Sequence, residues 1–440
     1  MSQHDVSRVL IQGATILSMD PAIGDLDEGD ILIEGSRITA IARGLEVEGA
    51  VETIDAHGCI VIPGFIDTHR HMWEAVIRGC APHHTISDYF TNILSEIGPE
   101  ITPRDVYLGN LLSARAALTS GITTVQDISN IQDSRDHTDA AIQGLQESGL
   151  RAVFAYGKSF TSMAAHGMAL SDDVRRVRSE LLHDNDALVT MALATEHGDP
   201  DAERHNMKLA LELDVHTARH VQAEYPVIRL RELGVILPRT TFIHGNNLGL
   251  EEIGVIVDSD GSLSIAAGIE MMMGHGYPMM ATAARTGVRV SFSVDVEVTM
   301  ASDMFTQMRC AYQTARYEEL SESDAPPPPT TERDILRFAT IGGAETLGFE
   351  DRTGSLVPGK QADLVILRAD GPDVAPVNDP YGAVVLQMDR AHVDTVMVGG
   401  VTVKRGGRLL ADSTEVIAEA RGVGHRLITA GVLHPTYRAA

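Results

Sequence analysis

The chain has 440 residues, too many for one ordinary core, and fits either two or three small domains or one barrel with an attachment. A hydrophobic content of 44% marks it as globular, and a formal charge of −26 argues against nucleic acid or an anionic membrane surface as partner, because phosphate binding needs a basic footprint. The longest apolar runs, such as Cys59 to Ile66, contain Pro and Gly and stop short of a bilayer span.

The opening MSQHDVSRVL has no basic segment followed by an apolar one. Cys59, Cys80 and Cys310 lie far apart without a CxxC pair, as reduced thiols would. Both features lead to the expectation of a cytoplasmic protein.

From Val9 to Ile62, short β-type runs alternate with Gly, Asp and Ser turn signals: VLIQGATILSM, GDILIEGSRITAIARG and VETIDAHGCIVIPG. The middle alternates β-type runs with helical stretches, the pattern of a parallel sheet. Its candidate strands are PGFIDTHRH, GITTVQDIS, LRAVFAYGKSF, ALVTMALAT, LDVHTARH, TTFIHGN, SLSIAAGIE and VRVSFSVDV. Eight such strands, each with room for a helix, fit an α/β fold of the (β/α)8 barrel type. The tract from Pro326 to Pro329 reads as a linker or exposed loop, and Thr331 as the cap of a helix running ERDILRFATIGGAETLG. Beyond it, SLVPGKQADLVIL and VDTVMVGGVTVKRGGRLL are strands again, and Glu415 to Val432 is a last helix broken or frayed near Gly422 and Gly424. The expected organisation is a small β-sandwich assembled from residues 1–62 and 353–412, a barrel over 63–352, and a helical tail over 413–440.

In such a barrel the C-terminal ends of the strands carry the active site. The first candidate strand ends His69-Arg70-His71, and a side-chain period of two turns both imidazoles to one face and Arg70 to the other. Two adjacent inward imidazoles suit zinc, iron or cobalt. The fifth strand carries His216 and His220, the sixth ends at His244, and the eighth at Asp295. Any one of these has a bland structural reading, but the set at strand ends is hard to assign to chance.

The run IPGFIDTHRH resembles the first-strand motif of the amidohydrolase superfamily, and TIGGAETLGFEDRTGSLVPGKQADLVIL is similar to that superfamily's C-terminal stretch. The likeness extends from Val9 to Leu410 and looks closest to the branch of chlorotriazine hydrolases and cytosine or guanine deaminases. It implies a barrel with a composite β-sandwich and one divalent transition metal, zinc first, with iron, cobalt or manganese as alternatives. By position it implies His69, His71, His216 and Asp295 as ligands, with His244 and Asp295 catalytic. The implied reaction is attack of metal-activated water on a non-peptide C–N bond of a small nitrogen heterocycle or amide. Displacement of halide or thiolate from a similar ring is the alternative, and a barrel that only binds a ligand is another. The partner is a small-molecule substrate, with neither nucleic acid nor membrane, and relatives commonly form homo-oligomers.

His216 is preferred over His220 because LDVH reads as an apolar strand ending at a ligand. The glutamate that usually follows three residues later is then replaced by Arg219; from His220, Glu224 is one residue too far. Arg219 would either hold an electron-rich group of the substrate or turn outward into an ion pair. Trp73, Glu270 and His275 are the other candidates for substrate contact. Unless Glu270 or His275 supplies a proton, poor deamination of guanine, cytosine and adenosine-type rings is expected. The fourth strand has no lysine, which favours one metal over a carboxylated-lysine pair.

Overall fold

A computed structural model describes residues 8–221, 226–321 and 330–434. The expected Pro326 to Pro329 loop and Glu224 lie outside the described residues.

Eight parallel strands follow one another around a barrel: Phe65–Arg70, Ile122–Gln132, Arg151–Lys158, Val189–Ala194, His216–Val221, Thr241–His244, Ser262–Ile265 and Arg289–Phe292. Each coincides with one of the runs read from the sequence. An isolated parallel bridge between Arg70 and Asp295 brings the first and eighth strands together. Inward positions alternate along the strands. Ile66, Ile128, Val153, Ala155, Ala192, Ala218 and Ile243 meet in a separate interior cluster, joined by Leu347 and Phe349. Intervening residues such as Val125, Phe154, Leu193 and Phe242 point outward and join the larger core shared with the helices.

The β-rich unit drawn from both ends of the chain is a nine-stranded mixed sheet. At its centre Cys59–Pro63, from the N-terminal part, pairs antiparallel with Leu364–Arg368, with Ile62 opposite Val365. The two-residue period gives this sheet two apolar faces. Ile16, Val61, Leu364 and Ile366 form its own core, while Ile60, Ile62, Val365 and Leu367 join the barrel's helical layer. Arg151 on the third barrel strand donates from Nε to Asp363 Oδ2 at 2.7 Å, fixing one against the other.

Two local expectations are corrected. Helix Thr414–Thr429 runs through Gly422 and Gly424 without a break, with Ala420, Val423 and Leu427 buried. Thr331 does cap a helix, accepting from the Asp334 amide in a capping box, but that helix ends at Phe338 and a second spans Ile341–Leu347.

Candidate metal centre

The first strand ends as its alternation requires. His69 and His71 turn into the barrel mouth, their Nε2 atoms 3.2 Å apart. Arg70 turns the other way, donating from Nε to Asp67 Oδ2 at 2.8 Å and from Nη1 to Glu297 Oε1 at 3.2 Å. This buried guanidinium ties the first strand to the segment after the eighth. Asp295 and His244 both sit at strand ends with left-handed backbone, φ 59° and 73°. Non-glycine residues are held in this region at a cost of about 1–3 kcal/mol each and cluster at functional sites.

The third imidazole is that of His220, not His216. His220 Nε2 lies 3.3 Å from His69 Nε2. The correction follows from where the fifth strand begins. The apolar run before His216 is the end of helix Pro200–Leu213, which Asp214 terminates in left-handed conformation, so His216 is the first residue of the strand and not its last. Both histidines face inward by the two-residue period, but four residues at roughly 3.3 Å each separate them. His216 therefore lies at the opposite end of the barrel, beside Gly348.

The same parity corrects Arg219. It points out of the barrel and donates from Nη2 to Glu203 Oε1 at 2.7 Å, in a buried pair next to His197. It precedes the ligand position instead of following it by three, so the argument that it displaces a proton shuttle fails. Trp73 has no exposed surface; its indole donates to Asn130 Oδ1 at 2.9 Å, and it packs instead of facing a substrate. Glu270, also fully buried, accepts from the Ala266 amide and from Asn246 Nδ2. Its Oε1 lies 3.1 Å from His244 Nδ1, which makes it a support for His244 and not a substrate contact. Of the four candidates, His275 alone is at the mouth with part of its surface open, its ring 4.4 Å from that of His244.

The hydrogen-bond partners set the tautomers. His71 Nδ1 faces the Ile128 carbonyl at 2.9 Å, and His220 Nδ1 faces Glu196 Oε1 at 2.7 Å. Glu270 accepts on both oxygens, so His244 Nδ1 donates to it. His71 and His244 then present an unprotonated Nε2 to the mouth, and His220 directs its Nε2 the same way, although against the effect of burial the Glu196 carboxylate raises its pKa above the ordinary value. Asp295 adds its carboxylate, with Oδ1 at 3.4 Å from His69 Nε2 and 3.6 Å from His71 Nε2, and Oδ2 at 3.7 Å from His244 Nε2. Lone pairs brought this close repel unless a cation sits among them, and the donor set of imidazoles and one carboxylate suits a borderline metal. Two overlapping sets, His69 with His71 and His220, and His69 with His244 and Asp295, bring their ligand atoms close enough to hold an ion, and Asp295 Oδ1 approaches both His69 and His71.

Burial reinforces this. Burial and the neighbouring His220 pull His71 down to about 3, and burial with the other rings holds His69 and His244 well below the ordinary imidazole range. Burial raises Asp295 to about 7, against the pull of His220. Burial also opposes ionisation of Glu196, but His220 beside it holds the carboxyl below its usual range.

Glu196 was not picked out in the sequence. It stands just past the end of the fourth strand, in ATEH, where the strand-end rule applied to every strand would have found it.

Residues 60–403 match the Amidohydrolase family. The chain belongs to that family. It is a hydrolase of a group built around such barrels. Among curated relatives it is 29% identical, over 96% of this chain and 99% of the relative, to a 5-methylthioadenosine/S-adenosylhomocysteine deaminase of Desulforudis audaxviator. It is 28% identical to a 5'-deoxyadenosine deaminase of Methanothermobacter thermautotrophicus, over 92% and 95%. Among solved structures, a zinc-bound adenosine deaminase from Xanthomonas campestris superposes with a TM-score of 0.83 at 21% identity, covering 96% of this chain and 99% of that one. An atrazine chlorohydrolase from Arthrobacter aurescens gives 0.84 at 24% identity, covering 94% and 99%. No helix among the described residues is long and apolar enough to cross a membrane.

Proposed function

We propose that this amidohydrolase uses one divalent metal, held by His69, His71, His220 and Asp295, to hydrolyse a C–N bond of an amino-substituted nitrogen heterocycle. The observation that carries the reading is the convergence of imidazole nitrogens and a carboxylate at the barrel mouth, with His71, His220 and His244 each held by a partner on Nδ1. Such a metal, zinc being the first candidate, supplies hydroxide near neutral pH by lowering the pKa of a water.

The chain's own groups divide the remaining work. Asp295 directs Oδ1 toward His69 and His71 and leaves Oδ2 toward His244. That oxygen can take the proton of the attacking water and return it to the departing nitrogen. His244, oriented by Glu270, faces the place where negative charge develops on the attacked ring. His275 packs edge-on beside it, and burial and His244 pull its ring down to about 3, so it adds a neutral imidazole to the wall of the mouth. The relatives named as deaminases of adenosine derivatives support an amino-heterocycle as substrate class. The charge of −26 supports a small molecule over nucleic acid, and three free cysteines support a reducing compartment such as the cytoplasm.

The test is ammonia release by zinc-loaded protein from 5'-deoxyadenosine, 5-methylthioadenosine, S-adenosylhomocysteine, cytosine, guanine and an aminotriazine, with chloride release from a chlorotriazine alongside. Metal-dependent ammonia release that disappears in His220→Ala is expected. Chloride without ammonia would move the reaction to halide displacement. Neither product, with metal bound, would leave a ligand-binding barrel and overturn the proposal.

A further inference from the structure

Among the described residues, the first and eighth barrel strands form no ladder, and an isolated bridge between Arg70 and Asp295 closes the seam. Asp295 donates its amide to the His69 carbonyl at 3.0 Å, and His71 donates to the Asp295 carbonyl at 3.1 Å. Two of the proposed metal ligands, His69 and Asp295, therefore meet where the barrel has least backbone pairing.

The first strand carries an extra residue at this point. Asp67 is in register with Val125 and Arg70 with Asp127, so Thr68 and His69 together stand opposite Gln126. This is a β-bulge, rare between parallel strands, and bulges re-aim side chains next to active sites. Its effect on facing follows from the neighbours. Ile66 points into the barrel with Ile128 and Ile243. Strict alternation from Ile66 would turn His69 and His71 outward. The extra residue turns both into the mouth, and it brings Asp67 and Arg70 to the same outer side, where they pair.

A bulge leaves part of the backbone without its ladder partner, and Asp67 supplies an acceptor. Its Oδ1 accepts from the His69 amide at 3.4 Å and from the amide of Val294, the residue before Asp295, at 3.1 Å. Its Oδ2 accepts from Arg70 Nε at 2.8 Å. Arg70 continues to the segment after Asp295, donating from Nη1 to Glu297 Oε1 and from Nη2 to the Ser302 carbonyl, both at 3.2 Å. Asp67, Arg70 and Glu297 have no exposed surface, so water cannot take over these bonds. They hold the chain on both sides of Asp295, whose left-handed backbone needs such support.

We propose that Asp67 is a positioning residue for the metal centre: its carboxylate fixes both the bulge that turns His69 inward and the backbone that presents Asp295, and so sets these two side chains relative to each other. This role rests on the reading of His69 and Asp295 as metal ligands. A merely structural carboxylate would affect stability alone. Arg151, in a buried pair with Asp363 at the start of the third strand, is the comparison for that case.

The test loads the full-length protein with cobalt(II), whose visible absorption reports the number and arrangement of its ligands. Asp67→Ala should shift the visible bands and weaken cobalt binding about 10- to 100-fold. Arg151→Ala should keep the parent spectrum and an affinity within about twofold, although it unfolds at lower urea. Should the alanine variant at Asp67 fail to fold, Asp67→Asn decides. An amide has one acceptor oxygen, so it leaves either Arg70 or the His69 and Val294 amides unpaired, and both lead to the segment carrying Asp295. Its bands should shift as well. Asp295→Asn, which alters a ligand itself, is the reference. Bands that move in Asp295→Asn but stay at the parent position in the Asp67 variant would overturn the role of Asp67 and leave the ligand assignment standing. An equal shift in Arg151→Ala would also overturn it, as general loosening. Unmoved bands in Asp295→Asn would overturn the ligand assignment, and the role of Asp67 with it.

Discussion

Removal of the imidazole at His220 separates the two histidines of the fifth strand most sharply. Its Nε2 lies 3.3 Å from His69 Nε2, while His216 begins the same strand at the far end. Zinc bound by four protein ligands is worth roughly 10–16 kcal/mol near neutral pH. Shared evenly, that is about 2.5–4 kcal/mol per ligand, or about two to three orders of magnitude in Kd. His220→Ala should therefore weaken zinc binding about 100- to 1,000-fold, measured by competition with a chromophoric chelator. His216→Ala should leave that affinity within a factor of about two. Glu196→Gln, which removes only the carboxylate behind His220, should fall between, at about 10- to 100-fold. Loss of zinc in His216→Ala with retention in His220→Ala would refute the reasoning, because no rotation about one strand brings both residues to the mouth.

Other perturbations read out different parts of the account. Asp295→Asn should lower turnover by at least about two to four orders of magnitude, through lost proton transfer together with a weaker metal site; a rate within tenfold of the parent would remove Asp295 from the chemistry. His244→Ala should keep the metal, by elemental analysis, and lose at least about 100-fold in turnover. Arg219→Ala strands the Glu203 carboxylate in a buried setting and should cost about 3–5 kcal/mol in urea unfolding, with metal affinity nearly unchanged. Burial lowers Lys404 to about 8, so between pH 8 and its unfolded value near 10.4 the unfolded chain holds a proton that the native chain lacks. The Lys404 contribution to stability should rise with pH across that window, and Lys404→Met should flatten the rise, seen as a difference between the two urea-unfolding profiles.

The barrel was legible in the sequence because its strands are apolar runs broken by Gly, Asp and polar helices, and each became a parallel strand. His69 and His71 were legible because alternation fixes the facing of neighbours on one strand. His216 was misplaced because LELDV, the end of one helix, is as apolar as a strand, and periodicity does not mark where the switch from helix to strand occurs. Asp214 could have marked it, as a helix-terminating residue that accepts left-handed backbone. Once the start of the strand moved, Arg219 moved with it to the outer face. Glu270 and Trp73 were read as substrate contacts because neither burial nor hydrogen-bond partner can be read from a loop motif; both are fully buried. Glu196 escaped notice because the strand-end rule was applied to histidines and to Asp295 but not to the end of the fourth strand; its meaning comes from the His220 ring across the mouth.

The central claim is that one metal ion sits among His69, His71, His220 and Asp295. Anomalous scattering at the zinc edge, measured on crystals of the zinc-loaded protein, tests this without reference to any substrate. A single strong peak coordinated by those four side chains, with nothing at His216, is the expected result. A peak elsewhere, or none at the barrel mouth in protein shown to contain stoichiometric zinc, would contradict it.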